Sequence, residues 1–307
     1  MITRLFRRFV WSLVTLMGTA MLTFFLLNAV PGDVARVIAG SKASPDVIKA
    51  VHAKYHLEDP FWQRFVLYLG QLAKGDLGHS YVTDQPVAEA LLTRLPTTAS
   101  LTGLAVVMWV ALAVPLGVLT ARFRDSWFDR STLVVATVSL SLPAFWLARM
   151  MQYWLAYRLG WFSIGFVRTF GDLLLPAAAL AILFVGYYAR LIHTNMAEVL
   201  DSAYVRAARA KGASETRVLF KHALRNAMIP VVTILGMDVA GLLGGVLFVE
   251  NVFALPGIGT LAVQSVFNLD PPVIMGTVMF SAVLVVGANW VVDLLYGWID
   301  PRIKSGS

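Results

Sequence analysis

Long apolar runs alternate with short polar segments along the whole chain. A helix needs about 20 predominantly apolar residues to cross the hydrocarbon of a bilayer. Six runs approach or exceed that length, at approximately 9–30, 98–121, 132–157, 173–192, 228–249 and 273–298. The first follows a basic start, "MITRLFRR". It is longer than the apolar core of a secretory signal, so it predicts a retained anchor helix. The segment 31–97 is patterned differently. In "SPDVIKAVHAKYHLED", Ser44 is a candidate cap and Pro45 sits at the first helical position. "DPFWQRFVLYLGQLAKGDLG" carries aromatic residues at helical spacing and ends in glycines. Together these predict a small helical layer between the first two spans.

The charge pattern orients the spans. If the N-terminus is cytoplasmic, the inner segments hold Arg4, Arg7 and Arg8, then Arg122, Arg124 and Arg130. Next come Arg190, Arg206, Arg209, Lys211, Arg217, Lys221 and Arg225, and last Arg302 and Lys304. The short outer loops hold only Arg158 and Arg168. This is the positive-inside bias, and it predicts that both termini are cytoplasmic. The first outer loop balances seven basic against seven acidic residues, but it is too long to be governed by that rule. The expected fold is therefore an all-α polytopic membrane protein with six transmembrane helices and a helical extracytoplasmic loop between spans one and two. Its parts are residues 1–30, the outer loop 31–97, and a five-helix core 98–307 containing a cytoplasmic segment, 194–227.

Composition agrees. Of 307 residues, 58% are hydrophobic and 14% charged, with a mean hydropathy of +0.71. Soluble domains carry about 25% charged residues. There is no cysteine, which excludes disulfides and thiolate metal sites. The net charge is +7, but in a membrane protein the placement of the basic residues matters more than their sum; membrane lipid and no nucleic acid are expected as partners. His52 and His56 have the i, i+4 spacing of metal ligands. No third ligand is evident beside them, so they read as a solvated helix face and no metal site is expected.

The basic stretch "YVRAARAKGASETRVLFKHALRNAMIP", residues 204–230, needs more explanation than topology gives. Its first part is rich in helix formers, with Asp201 or Ser202 as candidate cap. Gly212 is placed to end that helix in the left-handed conformation. Ser214 is placed to cap a second helix that runs on to Pro230. Val218, Leu219 and Ala223 can face the protein while Arg206, Arg209, Lys211 and Arg217 face out. Three readings compete: a loop that only fixes topology, a helix on anionic lipid, and a helix that docks in a partner's groove. Charge alone satisfies the first reading, so the glycine-broken helix pair favours the third.

The same stretch resembles the cytoplasmic "EAA" motif of ABC-importer permeases. The matching positions are Arg206, Ala207, Ala208, Gly212, Ile229 and Pro230. Arg206 stands where the wider family has an acid, as is usual in its peptide and nickel branch. "NAVPGDVARVIAG", "GDLGHSY", "SLSLPAFWLA", "VENVFALPGIGTLAVQSVFNLDPPVI" and "VVDLLYGWIDPRI" resemble further family segments in the same order. Val34 departs from the usual "PGDP".

The resemblance implies one of two permease subunits in a heterodimer, with two ATP-binding subunits and an extracytoplasmic substrate-binding protein. It implies di- or oligopeptides as substrate, with nickel or a metal–opine complex as the alternative. It makes Tyr204, Arg206, Ala207, Ala208, Lys211, Gly212, Glu215, Arg217, Arg225, Asn226 and Pro230 an ATPase-coupling segment. The cell location would be the bacterial cytoplasmic (inner) membrane.

Charged groups inside spans are costly and are functional candidates. Asp238 lies near the middle of the fifth run, as a pathway residue for a cationic group or as a structural acid. Arg149, in the third run, is a tempting partner set toward the outer side. Pro143 is placed to kink that run, and Pro115 and Pro176 to break or start theirs. Glu250, Pro256, Gly257 and Gly259, around "LPGIG", are outer-gate or docking candidates, against a plain turn. Gly241 and Gly245 form a small-xxx-small pair suited to close helix approach.

No GxxxxGK[ST], HExxH or GxSxG sequence occurs. No catalytic residue or cofactor is expected, and ATP and Mg would belong to partner subunits. A self-sufficient secondary transporter or channel is the competing class. It would be expected to show internal repeats and discontinuous spans. Neither is evident in the sequence.

Overall fold

The computed structural model describes residues 2–29, 34–40, 43–54, 57–163 and 169–299. His56, Arg168, Arg302 and Lys304 lie outside them. The described residues are helical, with one isolated bridge, His79 to Pro86, in place of any strand. Five helices are long and apolar enough to cross a membrane, and one bent pair would make a sixth.

The chain divides into two compact units. The first comprises Met1–Thr98, Leu243–Leu247 and Pro256–Gly287. It holds α1 (Ile2–Ala29), α2 (Val34–Ala39), α3 (Pro45–Lys54), α4 (Phe61–Ala73) and the start of α5 (Val87–Arg122). It also holds α13 (Ile258–Phe267) and most of α14 (Pro271–Ile299). α3 begins at Pro45, as the sequence predicts. α4 turns Phe61, Phe65 and Tyr68 onto Phe24 of α1, with ring centroids 5.3–5.9 Å apart. A second core joins Val87, Leu91, Ile258, Leu261 and Val273. Asp270, 3% exposed, accepts from the Ser80 hydroxyl at 2.5 Å and the Tyr81 N–H at 3.1 Å. A carboxylate removed from water needs such donors.

The second unit comprises Ala99–Leu242, Phe248–Leu255 and Ala288–Ser307. Its centre is α8 (Leu174–Leu200), entered through a 3-10 turn at Phe170–Leu173. Small residues bring other helices close to α8. A Cβ on Gly117 of α5 would lie 2.6 Å from the Ile192 Cβ. One on Gly186 would lie 2.8 Å from the Ala136 Cα of α6 (Trp127–Ser141). Trp109 of α5 stacks on Phe184, centroids 4.5 Å apart, and lies over Tyr188 at 5.9 Å.

Three expectations are corrected. Pro115 does not break its run, for α5 continues through it to Arg122. Proline is tolerated inside apolar spans when neighbouring groups satisfy the freed carbonyl. The third run is broken, not merely kinked. α6 ends at Ser141, and α7 (Ala144–Met151) restarts at 100° to it, continuing as a wide π turn over Gln152–Arg158. Leu142 and Pro143 are both extended there, with ψ of 131° and 129°. The ring fixes φ at Pro143 and disfavours helix at the residue before it. A discontinuous span therefore no longer argues against a secondary transporter. Lastly, α11 (Arg225–Leu243) stops before Gly245, so Gly241 and Gly245 do not form a stripe on one helix. Gly245 has φ of +131°, and a Cβ there would meet the Gly259 nitrogen at 2.8 Å. α12 (Leu247–Val252) follows it.

Candidate functional site

The basic stretch folds as a helical hairpin whose joint is Gly212. α9 (Ala203–Ala210) starts after Ser202, but the Ser202 hydroxyl donates back to the Val199 carbonyl at 2.5 Å and does not cap. Arg206 donates to the Asp201 carbonyl at 2.9 Å. α9 ends in a Schellman turn. The Gly212 N–H donates to the Arg209 carbonyl at 2.9 Å, and the Ala213 N–H to Ala208 at 3.1 Å. Gly212 has φ of +79°, which a side chain would disfavour.

The second arm starts at α10 (Glu215–Arg217), where the Ser214 hydroxyl accepts from the Arg217 N–H at 3.4 Å. It widens into a π stretch over Val218–Leu224 and continues as α11. Val205, Val218, Leu219 and Ala223 are buried. Arg206, Ala207, Arg209, Lys211, Gly212, Arg217 and Arg225 are exposed. Thus the apolar and basic faces separate as their spacing implies.

Three ties brace the hairpin. Arg209 donates to both Glu215 oxygens, at 2.9 and 3.3 Å, across the Gly212 turn. Asn226 donates to the Tyr204 hydroxyl at 2.7 Å, and that hydroxyl reaches the His222 carbonyl at 3.5 Å. Arg124 reaches Asp201 at 3.4 Å, at the entry to α9. Pro230 lies inside α11, where it can donate no hydrogen bond to the carbonyl four residues back. Between the arms is a cavity of about 340 Å³ lined by Tyr204, Lys221, His222, Arg225, Asn226 and Ile229.

The intramembrane candidates have different partners from those the sequence suggests. Asp238, half-buried on α11, accepts from the hydroxyl of fully buried Tyr188 at 2.7 Å. Arg149 is exposed and donates to Gln152 at 2.8 Å, and Gln152 donates to the Val252 carbonyl at 3.2 Å. Arg149 and Asp238 do not pair. Pro143 stands at the break between α6 and α7.

Around "LPGIG", Glu250 is fully buried on α12. Gly257 precedes α13, and Gly259 forms the close backbone contact with Gly245. The Ile258 N–H donates to the buried Thr98 hydroxyl at 2.9 Å. The Thr98 hydroxyl thus pins the start of α13. Among the described residues no His, Asp and Glu cluster could hold a metal ion.

Sequence reasoning missed Tyr188 and Thr98. Each acts on a residue 50 or more positions away, so local spacing carries no sign of it.

Two family models cover the chain. Residues 113–305 match the binding-protein-dependent transport system inner membrane component, and residues 1–102 match its N-terminal part. The chain belongs to this family. It is a multi-pass permease of the bacterial cytoplasmic membrane. The permease is similar to a putative peptide transport system permease protein of Brucella abortus. The two are 39% identical over 306 residues, 97% of this chain and 98% of that relative. A dipeptide transport system permease protein of Alkalihalophilus pseudofirmus is 36% identical, over 97% and 98% of the two chains. A glutathione transport system permease protein of Escherichia coli is 36% identical, over 99% of each.

Proposed function

We propose that this permease forms, with a second homologous subunit, the pathway for di- or oligopeptides in an importer driven by two partner ATPases. An extracytoplasmic binding protein would deliver the substrate. The peptide, dipeptide and glutathione names of the relatives favour peptides over the nickel reading. In this reading both termini and the Tyr204–Pro230 hairpin are cytoplasmic, as the basic residues favour.

The observation that carries the reading is the exposed, Gly212-jointed hairpin braced by Arg209 and Glu215. It is an exposed protrusion with a buried apolar face, in a chain with no phosphate-binding loop of its own. Such a protrusion suits a groove on an ATPase and can carry its closing to α8 and α11.

Asp238 is the pathway candidate with the strongest physical case, for one carboxylate oxygen is held by Tyr188 while the residue stays half-exposed. A free peptide amine is the complementary charge. Arg149 and Pro143 join it as pathway candidates. Glu250, Pro256, Gly257 and Gly259 are proposed to shape the outer gate.

The test is reconstitution in proteoliposomes. Uptake of a dipeptide is expected only with the ATPases, the second permease subunit, the binding protein and ATP together. Uptake by this chain alone under an ion gradient would sink the proposal. In the same assay Asp238→Asn is expected to slow uptake about tenfold, as loss of a charged contact implies. Normal uptake would remove Asp238 from the pathway.

A further inference from the structure

Two polar side chains outside the hairpin, one buried and one partly buried, bring α6 and α8 together. Asp129, in the first turn of α6, is 4% exposed. Its backbone N–H is capped by the Ser126 hydroxyl at 3.2 Å, and its Oδ2 accepts from the Asp125 N–H at 3.0 Å. Its Oδ1 faces Nδ1 of His193, on α8, at 3.4 Å. The contact does not meet hydrogen-bond geometry, and neither of those two buried atoms has a hydrogen-bond partner. A buried carboxylate oxygen without a donor is costly, and the His193 ring is the polar group that it faces.

The pair is one of two levels of contact. Seven residues along α6 is Ala136, and seven residues back along α8 is Gly186. These two meet backbone to backbone, closely enough that a Cβ on Gly186 would clash. The helices are therefore antiparallel neighbours, locked at points two turns apart.

Each helix leads to a joint. α8 continues past His193 to Leu200 and then turns into α9. α6 runs the other way, from Asp129 to the 100° break at Leu142 and Pro143. The exposed Arg124–Asp201 contact also touches the entry to α9. Exposed ion pairs contribute little, so the Asp129–His193 contact and the close approach of Gly186 to Ala136 are the ties that remain.

We infer that Asp129 and His193 are positioning residues that make α6 and α8 move as one lever. The lever carries displacement of α9 to the break in the third span. This rests on the coupling role proposed for the hairpin.

The test uses the complete importer in proteoliposomes. Assembled complex, basal ATP hydrolysis and dipeptide uptake per ATP are measured for Asp129→Ala, His193→Ala and the exchanged pair Asp129→His with His193→Asp. The single variants are expected to assemble and hydrolyse ATP within about twofold of native, while uptake per ATP falls about tenfold or more. The exchanged pair is expected to restore uptake per ATP to within about threefold of native, as coupled residues do.

Unchanged uptake per ATP in the single variants would overturn the lever. So would a loss that only follows the amount of assembled complex and is not restored by the exchange. Gly212→Val, run in parallel, separates the two ideas. If it is defective while His193→Ala is normal, the lever fails and the coupling hairpin stands. If Gly212→Val is also normal, the coupling reading fails with it.

Discussion

Gly212 and Gly245 both take positive φ, at +79° and +131°, yet they solve opposite problems. Around Gly212 nothing lies within 4 Å of where a Cβ would be. Glycine is needed there for the backbone angle alone. At Gly245 a Cβ would strike the Gly259 nitrogen at 2.8 Å and its Cα at 2.9 Å. Glycine is needed there for space as well. The first turn leaves its surroundings open, as the proposed docking would require. The second is filled by its own chain. A glycine-broken segment alone cannot tell these cases apart, and the surroundings of the turn can.

The contrast can be broken at several points. Gly245→Val carries the largest expected effect. It adds overpacking of about 1–3 kcal/mol to backbone strain of about 1–3 kcal/mol. At about 2–4 °C per kcal/mol, the melting midpoint in detergent should fall by about 10 °C. An unchanged midpoint would show that the Gly245–Gly259 approach is not tight. Gly212→Val should cost strain only, so the chain should accumulate in membranes normally. Its ATPase assembly and peptide uptake should nevertheless fall about tenfold, and Gly212→Asn should recover most of both, because Asn tolerates the left-handed region. Full activity of the Val variant would mean that the turn does not set the docking geometry. The smallest effect is expected for Glu215→Gln. Exposed ion pairs contribute little and are screened, so uptake should drop only about twofold, and less at high salt. A loss as large as that of Gly212→Val would make Glu215 a docking contact in its own right.

The legible features were local ones. Apolar run length located the long helices, and the Pro45 start, the Gly212 turn and the Ser214 cap each depend on residues within one turn. The burial of Val218, Leu219 and Ala223 followed from their spacing. What escaped was set by residues far apart or by packing. Pro143 removes one donor, but whether the helix kinks or turns through 100° depends on what it packs against. Gly245 looked like a helix-face residue because nothing nearby in sequence announces Gly259. The π stretches differ from α-helix only in that each hydrogen bond spans one residue more, which leaves no mark in composition. "SWFD", Ser126 to Asp129, did carry a helix-start signal that could have located α6. The partner of that aspartate, His193, lies 64 positions on.

The π stretch at Val218–Leu224 has one further consequence. Leu219, Ala223, Ala227 and Val231 are all buried, at a constant spacing of four. On an α-helix of 3.6 residues per turn, a spacing of four creeps around the axis by about 40° at each step. The wider turns near Leu219 wind that creep back. The stripe therefore stays nearly straight across the change from one helix type to the other. This stretch is also where the helix can gain or lose one residue by changing type. An indel there would spare the phase of the chain beyond it, whereas one in the regular part of α11 would rotate the hairpin by about 100°.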